Sequence, residues 1–201
     1  MGEKAAVRSR LLPVLGEVFR SYGYEGTSVA RMTAATGAGK GSLYNAFPGG
    51  KEEMAQAVLA SIDRWFETAI FLPLRDEPSA PQAIRHMLAQ VETYFQSGQR
   101  ICLVGLFALG DERDRFAIRI RHYFAGWQSA LTQALVRAGH SHTAASTLAE
   151  EAIASIQGAL VQARAMQDTT LFPRALSRLA ARLLPVSLSE QPVTTLSHKG
   201  E

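Results

Sequence analysis

Apolar residues recur at intervals of three and four along most of the chain, which is the spacing that places them on one face of an α-helix. Glycine and proline interrupt this pattern and divide it into separate segments. No segment shows the strict alternation of apolar and polar residues that is typical of a half-buried strand. The pattern therefore predicts an all-α fold, with helices at about 4–22, 28–36, 40–47, 50–71, 81–97, 99–109, 112–138, 143–167 and 171–184.

Proline and glycine mark the places where this helical pattern is expected to break. Pro13 lies inside the first predicted helix, where a proline kinks the helix unless it falls in the first turn. The three prolines between 73 and 81 predict a loop after the fourth helix. Gly105 is expected to interrupt the short apolar helix at 99–109.

The stretch 27–51 predicts two short helices joined by a tight turn. Thr27 is a suitable N-cap for the first helix, and Gly37 follows it where a left-handed residue would end it. Leu43 and Phe47 lie four residues apart in the second helix and can face inward together. The remaining side chains of that helix are small, polar or basic. This arrangement is typical of a helix-turn-helix, whose second helix enters the major groove of DNA.

The same stretch resembles the DNA-binding domain of the TetR family of transcriptional regulators. The resemblance runs without gaps from Thr27 through Met54, and the run FPGGKEEM at 47–54 further resembles the LmrA/YxaF-like subgroup. Gly39 departs from the family pattern, since serine or threonine usually caps the recognition helix there. The positions that carry the match are Gly37, Gly41, Leu43, Tyr44, Phe47 and Lys51.

This resemblance implies a division of the chain into two domains and a tail. Residues 1–50 would form a three-helix DNA-binding domain, and residues 51–185 a helical domain that binds an effector and dimerises. Residues 186–201 are polar, and we expect them to form a disordered tail. The family implies a homodimer on a palindromic operator of double-stranded DNA, most often as a repressor released by a small apolar effector.

Charge supports contact with DNA at the N-terminal end. Residues 1–51 carry seven basic side chains against three acidic ones, while the rest of the chain is close to neutral. A basic patch on a near-neutral body is the electrostatic pattern expected of a part that meets a polyanion. Arginine, lysine, serine and asparagine suit phosphates and base edges, and a glycine permits close approach of the backbone. The candidate DNA-binding residues are Thr27, Ser28, Arg31, Lys40, Gly41, Ser42, Tyr44, Asn45 and Lys51.

The predicted body carries candidates for effector binding and for dimerisation. By the family resemblance, an apolar effector would bind among the aromatic residues of the body, although such a stripe is also what ordinary core packing produces. The effector candidates are Phe95, Cys102, Phe107, Tyr123, Trp127 and Gln128. The last two helices would pair with those of a second copy, or else close the core of a single chain. The dimerisation candidates are Ala149, Ala152, Ile156, Ala159, Leu176, Leu179 and Leu183.

Other classes of protein find little support in the sequence. No Ser-His-Asp set, carboxylate pair or set of metal-ligand spacings stands out, so we expect no enzyme activity, no cofactor and no metal site. No apolar run is long enough to span a membrane, and the first ten residues lack the apolar region of a secretory signal, so we expect a cytoplasmic protein without a membrane partner. The alternative function is a helical protein that binds small molecules or partners and has a non-functional DNA-binding head.

Overall fold

The computed structural model of the chain describes residues 2–184, and every regular element within that range is helical. The prediction of an all-α fold is confirmed. The tail predicted at 186–201 lies outside the described residues. Within the described part, no helix is both long and apolar enough to cross a membrane. The helices are α1 (Gly2–Gly26), α2 (Val29–Thr36), α3 (Lys40–Ala46), α4 (Gly50–Phe66), α5 (Leu72–Asp76), α6 (Ala80–Tyr94), α7 (Leu103–Leu109), α8 (Ala117–Arg137), α9 (His142–Met166) and α10 (Leu171–Leu183).

The helices α1, α2 and α3 pack together as the N-terminal head. The expectation of a kink or late start at Pro13 is wrong, because α1 continues through this residue with helical backbone angles. The break falls instead at Gly23, whose φ of 66° is left-handed and is favoured by glycine. The chain turns there and leads into α2.

The helical segment that begins with α4 extends further than predicted, and the loop after it is shorter. The chain continues from α4 through a wide π-helical turn, Glu67–Phe71, directly into α5. At this turn the N–H of Leu72 donates to the carbonyl of Glu67, five residues earlier. Pro73 therefore lies in the first turn of a helix, where a residue without an N–H is tolerated. The predicted loop is reduced to residues 77–79.

An aromatic cluster at the end of α4 forms the centre of the body. Phe66 is completely buried, and its ring centroid lies 4.7 Å from that of Tyr123 and 5.3 Å from that of Trp127. The indole N–H of Trp127 donates to the sulfur of Met87 at 3.4 Å. Because α4 begins beside α3 and ends in this cluster, it connects the head to the core of the body.

Two helices of the body begin later than predicted. The chain between 99 and 102 is not helical, and α7 starts at Leu103. The helix predicted from 112 starts as a short 3-10 turn, and α8 proper begins at Ala117. Phe116 precedes α8 with a non-helical backbone, and its buried ring packs against the rings of Phe107 and Tyr24.

Gly105 does not interrupt α7, contrary to expectation. Its role is in packing between helices. A Cβ atom at this position would lie 2.8 Å from the side-chain oxygen of Gln157 on α9. The glycine therefore leaves room for the end of the Gln157 side chain, which would have to move to admit a larger residue.

The last two helices pack on the body with the predicted dimerisation residues turned inward. All seven of these side chains are buried within the single chain, so they close the monomer's own core. None of them is exposed in the single chain, and their contact with a second copy stays a prediction. Their helical spacing indicates a shared apolar face, whereas a face available to a partner must be exposed in the monomer. The residues concerned are Ala149, Ala152, Ile156, Ala159, Leu176, Leu179 and Leu183.

Candidate nucleic-acid interface

The outer face of α3 is exposed and carries most of the predicted DNA-binding residues. Its inner face is held by Leu43 and Phe47, both completely buried, as the spacing predicted. Gly39 precedes the helix as its N-cap, with an extended backbone and no side-chain hydrogen bond. The departure from the family pattern at Gly39 therefore does not prevent this helix from forming. Its exposed residues are Lys40, Gly41, Ser42, Tyr44 and Asn45.

The cap of α2 is provided by Ser28 rather than by Thr27. The Ser28 hydroxyl accepts from the N–H of Arg31 at 3.3 Å. Thr27 is buried, and its hydroxyl donates to the carbonyl of Gly23 at 2.6 Å. The proposed contact of Thr27 with a phosphate does not fit this geometry, because its hydroxyl is enclosed and already bonded.

Arg31 and Lys51 are partly engaged with the turn that precedes α2. Arg31 donates to the carbonyl of Gly26, and its guanidinium lies 4.1 Å from the ring centroid of Tyr22. The ammonium of Lys51 donates to the carbonyl of Tyr24 at 3.1 Å and lies 4.3 Å from the centroid of that ring. Both cations have more donors than these bonds use, since an ammonium has three and a guanidinium five. Each therefore retains N–H groups that can bind a phosphate.

Arg8 fixes α3 against the rest of the head. It donates to the carbonyl of Ala46 at 2.7 Å and to the carboxylate of Glu53 at 2.6 Å, and it lies over the Phe47 ring at 4.4 Å. A cation at the C-terminal end of a helix is stabilised by the free carbonyls there. The hydrogen bonds from Arg8 and from the N–H of Gly49 lower the pKa of Glu53 below its ordinary value.

The sequence did not predict the contacts through which Arg8 holds α3 in place. Arg8 and Glu53 are 45 residues apart, and single-sequence periodicity contains no signal for a contact at that separation. Tyr24 was also missed, although it is buried and its ring packs against Phe19, Phe107 and Phe116. Burial raises the pKa of the Tyr24 hydroxyl. Its aromatic character was no clear signal, because the exposed Tyr22 stands in the same turn.

A second polar cluster joins α1 to the body. Arg20 is buried on α1, and it donates to Glu17 at 3.0 Å, to the hydroxyl of Tyr94 at 3.0 Å and to the carbonyl of Ile101 at 3.2 Å. Arg100 donates to the same Glu17 carboxylate at 2.7 Å. The position of the head is therefore coupled through hydrogen bonds to the segment between α6 and α7.

Most of the predicted effector-binding residues lie in the aromatic core of the body. Among them only Gln128 is not buried; its amide donates to Glu150 on α9 at 2.8 Å. Burial raises the pKa of the Cys102 thiol, whose sulfur accepts from the N–H of Gly105 at 3.3 Å. The thiol is thus mainly protonated, and packing is its evident role. The buried candidates are Phe95, Cys102, Phe107, Tyr123 and Trp127.

The described residues contain no cluster of three or more His, Cys, Asp or Glu side chains that could hold a metal ion. His140 is half-buried beyond the end of α8, and His142 is exposed at the start of α9. The exposed residues of α3 offer hydrogen bonding and positive charge. These are the interactions through which proteins bind the backbone and the base edges of DNA.

Comparison with known proteins agrees with this geometry. Residues 16–58 match the family described as "Bacterial regulatory proteins, tetR family", and residues 80–177 match "Transcriptional regulator LmrA/YxaF-like, C-terminal domain". Fold and surface thus define a helix-turn-helix transcriptional regulator that binds DNA. Within that class, the chain belongs to the TetR family. Membership of this family makes the protein a DNA-binding regulator rather than an enzyme.

Individual relatives resemble the chain over most of its length. YxaF of Bacillus subtilis, an HTH-type transcriptional regulator, is 23% identical over 174 residues, which cover 85% of this chain and 91% of the relative. LmrA of the same organism is 25% identical over 167 residues, covering 81% of this chain and 89% of the relative. The fold also matches a solved structure of the TetR family regulator CifR, a cysteine mutant in complex with 26-bp operator DNA, with a TM-score of 0.69. The two chains are 25% identical, and the match covers 85% of this chain and 94% of the CifR chain.

Proposed function

We propose that this protein is a homodimeric repressor that binds a palindromic DNA operator and leaves it when a small apolar ligand binds the body. The observation that carries the proposal is the exposed polar face of α3, held rigidly from behind by Leu43, Phe47 and Arg8. The operator complex of CifR supports it, because that protein has the same fold. Since the family is described as bacterial regulatory proteins, we propose a cytoplasmic location.

The DNA contacts that we propose fall into two groups. The α3 residues would enter the major groove, where lysine, serine and asparagine can bond to base edges and a tyrosine hydroxyl can bond to phosphate. Ser28, Arg31 and Lys51 would bind the backbone on either side of that groove. We omit Thr27, whose hydroxyl is enclosed. The α3 residues are Lys40, Gly41, Ser42, Tyr44 and Asn45.

The substitution Gly41→Ala should weaken DNA binding without weakening the fold. A Cβ at this position would meet no atom within 4 Å in the free protein, so Gly41→Ala introduces no clash. The variant should be as stable as the wild type, or more stable by up to about 1 kcal/mol, because alanine favours a helix over glycine. Its affinity for the operator should fall at least about tenfold, since the added methyl would hold the backbone away from DNA.

The measurement for Gly41→Ala is a pair of titrations, one by denaturant and one by operator DNA. Ala30→Gly is the comparison variant. It replaces alanine by glycine at an exposed position of α2, so it should lower stability while leaving the approach of α3 to DNA unchanged. Unchanged operator affinity in a fully folded Gly41→Ala protein would show that the α3 backbone does not approach DNA closely.

We propose that the dimer forms through the outward face of α9. Four exposed small or apolar residues recur there at intervals of three and four: Ala154, Gly158, Val161 and Ala165. A Cβ at Gly158 would meet nothing within 4 Å in the single chain, so the chain's own packing does not require a glycine there. A glycine at position 158 would, however, allow a helix from a second copy to approach α9 closely. A two-fold dimer would hold its two α3 helices about 34–36 Å apart, or a multiple of that distance.

The effector would act through the aromatic core rather than at the DNA surface. Phe66 at the end of α4 contacts Tyr123 and Trp127, so a ligand that displaced these rings would also move the helix that begins beside α3. The ligand can shift the protein away from the DNA-bound state only by the difference between its affinities for the two states. An apolar ligand would suit this position, because the side chains that it would displace are mainly aromatic.

The first test of this function is a DNA-binding titration with the fragment that flanks the protein's own coding region. A random duplex of equal length, measured at the same salt concentrations, gives the non-specific background. We expect a complex of dimer size and a higher affinity for the flanking fragment. Equal affinity for both duplexes at every salt concentration would argue against an operator within that fragment.

A further inference from the structure

We propose that the N-terminal turns of α1 form a second contact with the DNA backbone, in which Lys4 and Arg10 bind phosphates beside the groove entered by α3. This inference rests on the proposed function, since it adds a binding surface to the same head. It assigns a role to a cleft and to two cations that the recognition helix does not include.

The cleft lies between α1 and the exposed side of the helix-turn-helix. Its volume is about 530 Å³. One wall is a single face of α1, and the other is formed by the turn at 37–39 and by Ser42 and Asn45 of α3. The α1 wall consists of Lys4, Val7, Arg10 and Leu11. The cleft is thus continuous with the proposed DNA-contacting surface, because Ser42 and Asn45 belong to both.

The two cations of the cleft have no ion-pair partner among the described side chains. Arg8 follows Val7 on α1 but does not belong to this wall. It forms an ion pair with Glu53 and donates to the carbonyl of Ala46. Among the side chains that the structure describes, Lys4 and Arg10 take part in no ion pair. Both residues are exposed. Two free cations on one wall of an open cleft favour an anionic occupant.

A DNA phosphate is the anion that fits this position. The opposite wall presents backbone, a hydroxyl and an amide, which are groups that commonly bond to the sugar-phosphate backbone. The first turns of α1 lie beside α3 and are fixed there by Arg8, so a duplex that received α3 in its major groove would bring a strand past this wall. Lysine and arginine at the edge of the groove would bind that strand without reading its bases.

The test compares Lys4→Gln, Arg10→Gln and the double variant with wild-type protein on the flanking fragment and on the random duplex. Each lost phosphate contact should make the plot of log affinity against log salt shallower by about 0.9. A homodimer loses two phosphate contacts per substitution. We therefore expect the slope to become shallower by about 1.8 in each single variant and by about 3.6 in the double variant. The ratio of affinities for the two duplexes should not change, because phosphate contacts do not depend on sequence.

Two control variants make this test specific. Arg85→Gln removes the same charge from an exposed position on α6 in the body, and its salt slope should equal that of the wild type. Lys4→Arg keeps the charge and should keep the slope. Circular dichroism checks that α1 still forms in each variant.

Three results would overturn the inference. One is an unchanged slope in the folded double variant, and another is an equal loss of slope in Arg85→Gln, which would mean a general charge effect. The third is a changed affinity ratio, which would mean that these residues read bases. The proposed function fails separately, if the wild type does not distinguish any DNA sequence from random duplex. The slope on random duplex still tests Lys4 and Arg10 in that case.

Discussion

Phe66→Ala is expected to lower the free energy of unfolding by about 3–5 kcal/mol, the range for truncating a buried phenylalanine. Phe66 is completely buried, and its ring centroid lies 5.1 Å from that of Tyr94, 4.7 Å from that of Tyr123 and 5.3 Å from that of Trp127. Its removal would leave a cavity where α4 joins the body, and rings of this size cannot collapse freely into it. Denaturant unfolding followed by far-UV circular dichroism measures the change.

Leu109→Ala is the matched control for Phe66→Ala. Leu109 is 88% exposed at the end of α7, so truncating it removes little buried area. Its free energy of unfolding should stay within about 0.5 kcal/mol of the wild type. A comparable loss of stability in both variants would mean that the aromatic cluster at Phe66 is not the centre of the core.

Gly98→Ala is expected to destabilise the protein by about 2–4 kcal/mol, through two effects at once. Gly98 has a φ of 91°, a conformation that strains an alanine by about 1–2 kcal/mol. A Cβ there would also lie 2.7 Å from the Cβ of Phe172 and 3.0 Å from that of Ala163. That overpacking adds about 1–2 kcal/mol, because α9 and α10 would have to move away from the segment after α6.

Gly139→Ala isolates the backbone part of this effect. Gly139 has a similar φ of 102°, but a Cβ there would meet no atom within 4 Å. This variant should lose only the strain contribution, about 1–2 kcal/mol. Thermal or denaturant unfolding of both variants gives the difference, which measures the clash. Equal losses would show that α9 and α10 have room for a side chain at position 98.

The elements of the head could be predicted because local rules decide them. Gly37 ends α2 with a φ of 66°, and Leu43 and Phe47 face inward, as their spacing indicated. These features depend on neighbours within a few residues. The N-cap was assigned one residue too early, at Thr27, because two hydroxyl residues stand side by side there and periodicity does not choose between them.

The contacts that position the site could not be predicted. Arg8 reaches Ala46 and Glu53 across a tertiary contact, and Arg20 reaches Ile101, 81 residues away. Composition and periodicity describe which face of a helix is buried, but they do not state which helix covers it. For the same reason, periodicity does not distinguish whether the inward residues of α9 and α10 are covered by their own chain or by a second copy.

The measurement that tests the central claim most directly is selection of bound sequences from a pool of random duplexes by the folded protein. It presumes no operator location and reports specificity itself. We predict enrichment of a two-fold symmetric sequence whose half-sites lie about one helical turn or a small multiple apart, together with salt-dependent binding. Folded protein that enriches no sequence and binds no duplex, even at low salt, would contradict the account.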